Sequence, residues 1–272
     1  MFVERLAATA LPFRVSRVAL VLALVSCSAE RVDIGDTIER DGALYVSGSA
    51  EPYTGVVVAY YEGSSDVLAE VRYRGGLKHG QAVGFYPSGR VSVKENYRAG
   101  LRQGEAREWY ENGQLMRRQS FVDGKSDGIL SEWSEDGQLL AKREMKEGKP
   151  HGPTVSWYPN GQEKSEGTYD RGVLTGVLVL WYENGQKQAE KSYRRGFANG
   201  PNSEWYENGN LRIQVNWKDG KPDGAFTRWF EGGQKQAEGR YTAGDLVELQ
   251  VWDENGNPQP APPLPTPGRD VR

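Results

Sequence analysis

Apolar and polar residues alternate along most of this chain in short runs that recur at a fixed interval. In 211–217, Leu211, Ile213, Val215 and Trp217 fall on one parity and Arg212, Gln214 and Asn216 on the other. A period of two is that of a strand with one face covered and one in water. Tyr169, Tyr193 and Tyr241 hold the same inner parity behind Ser165, Ala189 and Ala237, with Glu166, Glu190 and Glu238 opposite. Glycine breaks the pattern about every dozen residues, which disfavours helix throughout.

The interval is 24 residues. Trp109, Trp133, Trp157, Trp181, Trp205 and Trp229 keep it without exception. One glycine series keeps the step from Gly80 to Gly224, and a second from Gly89 to Gly233. An aromatic series runs from Tyr97 to Tyr241 with Met145 as its one substitution. Each unit predicts a β-hairpin. Asn112-Gly113, Asn160-Gly161, Asn184-Gly185 and Asn208-Gly209 are dipeptides favoured in two-residue turns, because both residues accept φ > 0. Gly113, Gly161, Gly185 and Gly209 are therefore expected as structural turn residues. The first copy, Gly55 to Lys78, has one extra loop residue around Ser64 and Ser65, and Trp252 falls one residue off the step.

The expected fold is all-β: an elongated antiparallel β-hairpin repeat array, a single-layer meander of about eight 24-residue repeats. With two strands per repeat at ~4.8 Å spacing, about eight repeats extend about 80 Å, and strand twist curls so long a sheet into a trough. Its open edges need caps, and the half-repeats Asp41 to Gly55 and Leu246 to Gly256 are placed to supply them.

Composition agrees. Hydrophobic residues make up 37% of the 272 positions, thin for a two-layer core, whereas 34 glycines and 8 tryptophans fit many turns and many rings. A formal charge of −3 gives no electrostatic reason to expect nucleic acid. Two histidines and one cysteine leave little for a zinc site or a disulfide framework.

The N-terminus reads as an address. Arg14 and Arg17 precede the apolar run Val18 to Val25, too short for a bilayer core that needs ~20 residues. The run ends in Leu24-Val25-Ser26-Cys27, which resembles a bacterial lipobox. That resemblance implies cleavage before Cys27, lipid attachment on its sulfur and anchorage in one leaflet of the cell envelope. Ser28, rather than Asp, then favours the outer membrane. Cleavage removes Arg5, Arg14, Arg17 and Glu4, a net +2, and leaves the mature chain at −5. The expected organisation is a signal peptide over 1–26, a tether over 27–39, the repeat domain over 40–257 and a Pro-rich disordered tail over 258–272.

The repeats resemble the MORN-repeat-variant family, the type labelled a YwqK toxin–antitoxin antitoxin. W-Y-E-N-G-Q at 109–114 and 181–186, D-G-K-x-D-G at 123–128 and 219–224, and P-Y-T-G at 52–55 carry the resemblance, which spans roughly 40–257. It is specific for fold and poor for activity. Functionally it implies an antitoxin or immunity-type protein that neutralises a partner toxin. A cytoplasmic toxin as that partner conflicts with the signal segment.

An active site needs groups that break a repeat. His79 and His151 share one repeat phase with Gln103, Asp127, Thr175, Asn199 and Asp223, and read as polar turn filler. Glu111, Glu183 and Glu207 are one turn position repeated. Asp123/Asp127 and Asp219/Asp223 lack the ligand run and closing bidentate Glu of a calcium loop. No catalytic residue, metal or cofactor is expected. The remaining candidates are the ring pairs Trp157/Tyr158, Trp181/Tyr182 and Trp205/Tyr206. Strand neighbours point to opposite faces, so one ring of each pair is exposed or covers a turn, and stacked exposed rings would form a partner surface. The expected function is that of a non-enzymatic, lipid-anchored envelope scaffold. Its partner is a protein or cell-wall component of unknown identity, its membrane contact is the N-terminal lipid, and its oligomeric state is unassigned. An immunity-type protein is the second expectation.

Overall fold

Two kinds of turn convert the alternating pattern into one continuous sheet. The computed structural model describes residues 30–264; Cys27, and with it the lipobox and the signal segment, lies outside them. The chain opens with β1 (Arg31–Asp33), a 3-10 turn at Ile34–Asp36, β2 (Thr37–Arg40), β3 (Ala43–Val46), β4 (Gly55–Tyr60) and β5 (Val67–Arg74). From β4 onward the chain runs as an antiparallel meander through Lys149–Trp157, Glu163–Asp170 and Val173–Trp181 to Asp245–Trp252 and Pro258–Gln259. Leu101–Arg102 and Gly104–Trp109 pair as two pieces with one preceding strand, and likewise Lys125–Ser126 and Gly128–Trp133. The result is the expected all-β, single-sheet meander.

The turns are distributed differently from the expectation. The tight two-residue turn joins each second strand to the first strand of the next repeat. Val122 pairs with Lys125, Lys146 with Lys149 and Asp170 with Val173, each pair enclosing two residues. Both enclosed residues have positive φ, as in Asp123 at 47° with Gly124 at 81° and Arg171 at 48° with Gly172 at 86°. This is the turn whose twist matches that of the strands it joins. The Asn-Gly turn is longer. Tyr158 N–H donates to the Gln162 carbonyl and Gly161 N–H to the Tyr158 carbonyl, so three residues lie between. Gly161 is at φ 87° and Gly113, Gly185 and Gly209 are at 93°, 86° and 89°, but no asparagine of these pairs has positive φ. That corrects the reading of both residues as left-handed. The asparagine serves through its amide: Asn160 Oδ1 accepts from Gln162 N–H at 2.9 Å.

The phase glycine and the phase aromatic meet across strands. Gly152 pairs with Tyr169, Gly176 with Tyr193, Gly200 with Trp217 and Gly224 with Tyr241, so each ring faces a residue without a side chain. On its other side the same glycine makes a bulge. His151, Gly152 and Pro153 stand opposite Glu144 alone, and Gly152 takes φ 101° there. In the last unit only Val247 is extra, between the pairs Tyr241 with Leu246 and Arg240 with Glu248. The shorter bulge accounts for the one-residue displacement of Trp252.

The parity of Leu211–Lys218 is as expected, odd positions half-buried and even ones exposed. The inner face is nevertheless not uniformly apolar. Arg143 reaches Glu132 at 2.9 Å and Lys191 reaches Glu204 at 2.8 Å on the same parity as Met145 and Tyr193. A sheet without a second layer leaves this face partly wet, and long cationic side chains cover it with their stems.

The ends carry the strongest departures. Residues 31–39 lie in the stretch expected as a tether, yet β1 pairs parallel with β4 and closes its edge. Val56, Val57 and Val58 of β4 are all buried, the run expected of a strand covered on both faces. Tyr53, 5% exposed, directs its hydroxyl to the Glu30 carbonyl at 2.7 Å and the Val56 carbonyl at 3.1 Å. The half-repeat expected to cap this end pairs β3 with β2 in a separate two-stranded sheet. It meets the first turn, where Gly76 N–H donates to the Tyr53 carbonyl and Leu44 N–H to the Gly76 carbonyl. At the other end Pro258–Gln259, expected in the disordered tail, pairs with Val251 and Trp252.

Candidate functional site

Each edge of the sheet is a ladder between successive repeats. Along the long-turn edge the tyrosine of the ring pair donates its hydroxyl to the main-chain carbonyl of the next repeat's tryptophan. Tyr110 does so to Trp133 at 2.9 Å, Tyr158 to Trp181 at 2.9 Å, Tyr182 to Trp205 at 2.8 Å and Tyr206 to Trp229 at 2.9 Å. Beside it Asn160 Nδ2 donates to the Glu183 carbonyl, and Asn184 Nδ2 to the Glu207 carbonyl. Turn carbonyls that hairpin geometry leaves open are thus satisfied by the preceding repeat.

Along the two-residue-turn edge the turn glycine reaches back. Gly172 N–H donates to the Pro150 carbonyl at 2.7 Å, Gly196 to Leu174 and Gly220 to Ala198 at 2.9 Å. The phase expected as turn filler has a definite task here. Gln103 Oε1 accepts from Asp123 N–H, Asp127 Oδ2 from Glu147 N–H and Asp223 Oδ1 from Ala243 N–H, each twenty residues on. Asn199 Nδ2 donates to Asp219. Sequence reasoning missed this clamp; its signal was an acceptor side chain recurring at one phase. His79 and His151 occupy that phase, and His151 Nδ1 lies 3.3 Å from the Asp170 carboxylate. Asp123 and Asp219 face Arg98 at 3.5 Å and Arg194 at 2.9 Å. Glu111, Glu183 and Glu207 stay exposed while their carbonyls accept ladder bonds.

The candidate rings Trp157, Tyr158, Trp181, Tyr182, Trp205 and Tyr206 are all half-buried. Each tryptophan ends a first strand and each tyrosine begins the turn. Lysines cover two of them: Lys164 Nζ is 5.4 Å from the Tyr158 ring centre and Lys187 Nζ 5.4 Å from that of Trp205. Nearer the N-terminus a polar cluster sits on the inner face. Tyr97 donates to Glu95 at 2.6 Å, and Arg102 Nε lies 3.1 Å from the other Glu95 oxygen. Burial, then the Glu95 carboxylate, pushes the Tyr97 phenol above its ordinary range. A cleft of about 240 Å³ lies next to it, lined by Glu39, Leu44, Tyr73, Lys78 and Tyr97. Among the described residues no helix is long and apolar enough to cross a membrane.

The sequence matches the MORN repeat variant family at residues 102–123, 150–171, 174–195 and 198–219. Every matched segment ends on the first residue of a two-residue turn, so the family unit and the hairpin coincide in frame. These four segments are similar to MORN repeats, and the chain as a whole is a β-hairpin repeat protein. No curated protein matches the chain. A solved structure titled "Crystal Structure of TcdB2-TccC3-Cdc42" aligns with 72% of this chain at 10% identity and a TM-score of 0.19. The chain spans 13% of the length of that one. A likeness so weak bears on neither fold nor function.

Proposed function

We propose that the protein is a non-enzymatic binding scaffold of the bacterial cell envelope, tethered by a lipid on Cys27 and held at the outer membrane. The observation that carries the reading is the open inner face of the sheet. Over many consecutive strands it presents half-buried rings, among them Tyr169, Tyr193 and Trp217, beside ion pairs such as Lys191 with Glu204. A single layer with rings and charges on one uncovered face is a surface for a partner. The carboxylates of Asp127 and Asp223, which could do chemistry, recur instead as turn clamps, which favours binding over catalysis.

The test is a crosslinking pull-down from membranes, wild type against Cys27→Ala, after fractionation. One reproducible partner recovered with wild type in the outer-membrane fraction supports the scaffold, and a toxin as that partner makes it an immunity protein. Wild-type protein found in the cytoplasm would overturn the anchored reading.

A further inference from the structure

The two edges of the array carry opposite charge. The windows that hold the two-residue turns, six residues each from 74–79 to 242–247, contain twelve Lys and Arg against seven Asp and Glu. The long-turn windows, from 61–67 to 253–258, contain three against eleven. A chain of net charge −3 therefore carries a local excess of cations on one edge and of acids on the other.

Three clefts lie side by side on the cationic edge, between successive stacked turns. The first, of about 460 Å³, is lined by Lys125, Lys146, Lys149, His151 and Arg171, with Glu147. The second, of about 410 Å³, shares Arg171 and adds Arg195. The third, of about 510 Å³, pairs Arg194 and Arg195 with Phe197 and Asp219. The acids nearby are engaged, Asp219 by Arg194 and Asn199, and Asp170 beside His151. Among the described residues no carboxylate lies within 4.0 Å of Lys125, Lys146, Lys149 or Arg195, and Arg171 meets only the exposed Asp170 at 3.8 Å.

Arg171 and Arg195 occupy φ 48° and 51°, a region in which glycine is unstrained; Ala99, Asp123, Glu147, Asp219 and Ala243 hold the same conformation at the equivalent turn position. Turns of consecutive repeats are two strands apart, about 10 Å. The free cations thus recur at roughly three times the 3.4 Å axial charge spacing of one strand of a DNA duplex.

We infer that the two-residue-turn edge from Lys125 to Arg195 binds a linear acidic polysaccharide, one whose acid groups fall on alternate sugars. This goes beyond the scaffold reading, because it uses an edge and not the sheet face. Arg and Lys in open clefts grip carboxylate or phosphate groups, and the acidic opposite edge turns away from them. The charge spacing favours a sparse polyanion over the denser nucleic acid.

The test is fluorescence anisotropy on the full chain with an end-labelled hyaluronan oligosaccharide, which carries a carboxylate on every second sugar. Neutral dextran, a single-stranded DNA of equal length and anionic phospholipid vesicles are run alongside. Hyaluronan should bind with an affinity that falls steeply with salt. Lys125→Gln/Lys149→Gln/Arg171→Gln should weaken it at least tenfold and flatten the salt dependence. The sheet variant Lys94→Gln/Lys142→Gln/Arg240→Gln, of equal charge, should bind as wild type does. Arg171→Gly/Arg195→Gly should raise Tm while it weakens binding, a combination a purely structural role would not produce. Equal loss in the edge and sheet variants, no hyaluronan binding at low salt, or stronger binding of DNA or vesicles would each overturn the inference. A failed pull-down with intact hyaluronan binding would count against the protein-partner scaffold alone.

Discussion

Tyr182 and Asn184 show how one repeat holds the next. Both donate to main-chain carbonyls of the following hairpin, those of Trp205 and Glu207, at 2.8 and 3.0 Å. Tyr182→Phe keeps the ring and deletes the bond, and urea denaturation should show a loss of about 1 kcal/mol. The same change at Tyr158 and Tyr206 should add to it. Gly161 tests the backbone. A Cβ there would come no closer than 3.6 Å to Gln138, so space is available, but φ is 87°. Both Gly161→Ala and Gly161→Val should therefore cost about 1–2 kcal/mol, strain rather than bulk setting the size. If alanine were neutral and valine costly, crowding would be the cause instead. The turn glycines were legible in the sequence because glycine adopts that conformation without the strain a side chain meets. The asparagine's task was not, because its hydrogen-bond acceptors lie in another repeat.

At the level of elements, the caps are where local pattern and outcome part. β1 has three residues and no alternating stretch long enough to announce a strand. It exists because β4 offers an open edge and Tyr53 fastens the chain before it. Burial, then the Glu30 carboxylate, raises the Tyr53 phenol above its ordinary pKa. Its folded pKa is higher than its unfolded one, so the stabilisation is complete below the unfolded value near ~10 and is lost as pH rises through the folded value. The protection factors of the Val56 and Val57 amides, corrected for base-catalysed intrinsic exchange, should fall over that alkaline window, and Tyr53→Phe should remove that fall. At the far end, Asp253 organises the last turn, accepting from the N–H groups of Asn255 at 3.0 Å and Asn257 at 2.8 Å. Those bonds hold its carboxyl below the usual carboxylate range. Aspartate stands here at the phase that Tyr110, Tyr158, Tyr182 and Tyr206 hold in inner repeats.

Across the whole molecule, stability is the sum of neighbour contacts. Few side chains of the described repeats are buried; Phe121, Leu130 and Phe226 are the larger ones. Each hairpin is instead held by its strand pairing and two edge ladders. Removing residues 174–197, one complete unit, should leave a folded protein with a modestly lower Tm. Removing 174–185 should abolish cooperative unfolding by circular dichroism, because it reverses the direction of every later strand and places each ladder on the wrong edge. The charge division between the edges is a property of the same scale. It arises because each turn phase recurs on one edge only, so a slight bias per turn accumulates along the array.

The 24-residue period, the alternation within strands and the glycine positions establish the hairpins, their order and the single antiparallel sheet. Each of these follows from interactions within a few residues or between adjacent repeats. The placement of the two-residue turn, the parallel strand that closes the N-terminal edge, the bulge that shortens the last unit and the clamp from residue 103 to residue 123 depend on pairing between distant segments. Turn type is set by how well its twist fits two strands already in register, and a cap forms only where an unpaired edge is available. Those conditions exist once the chain has folded, which is why tertiary structure alone decided them.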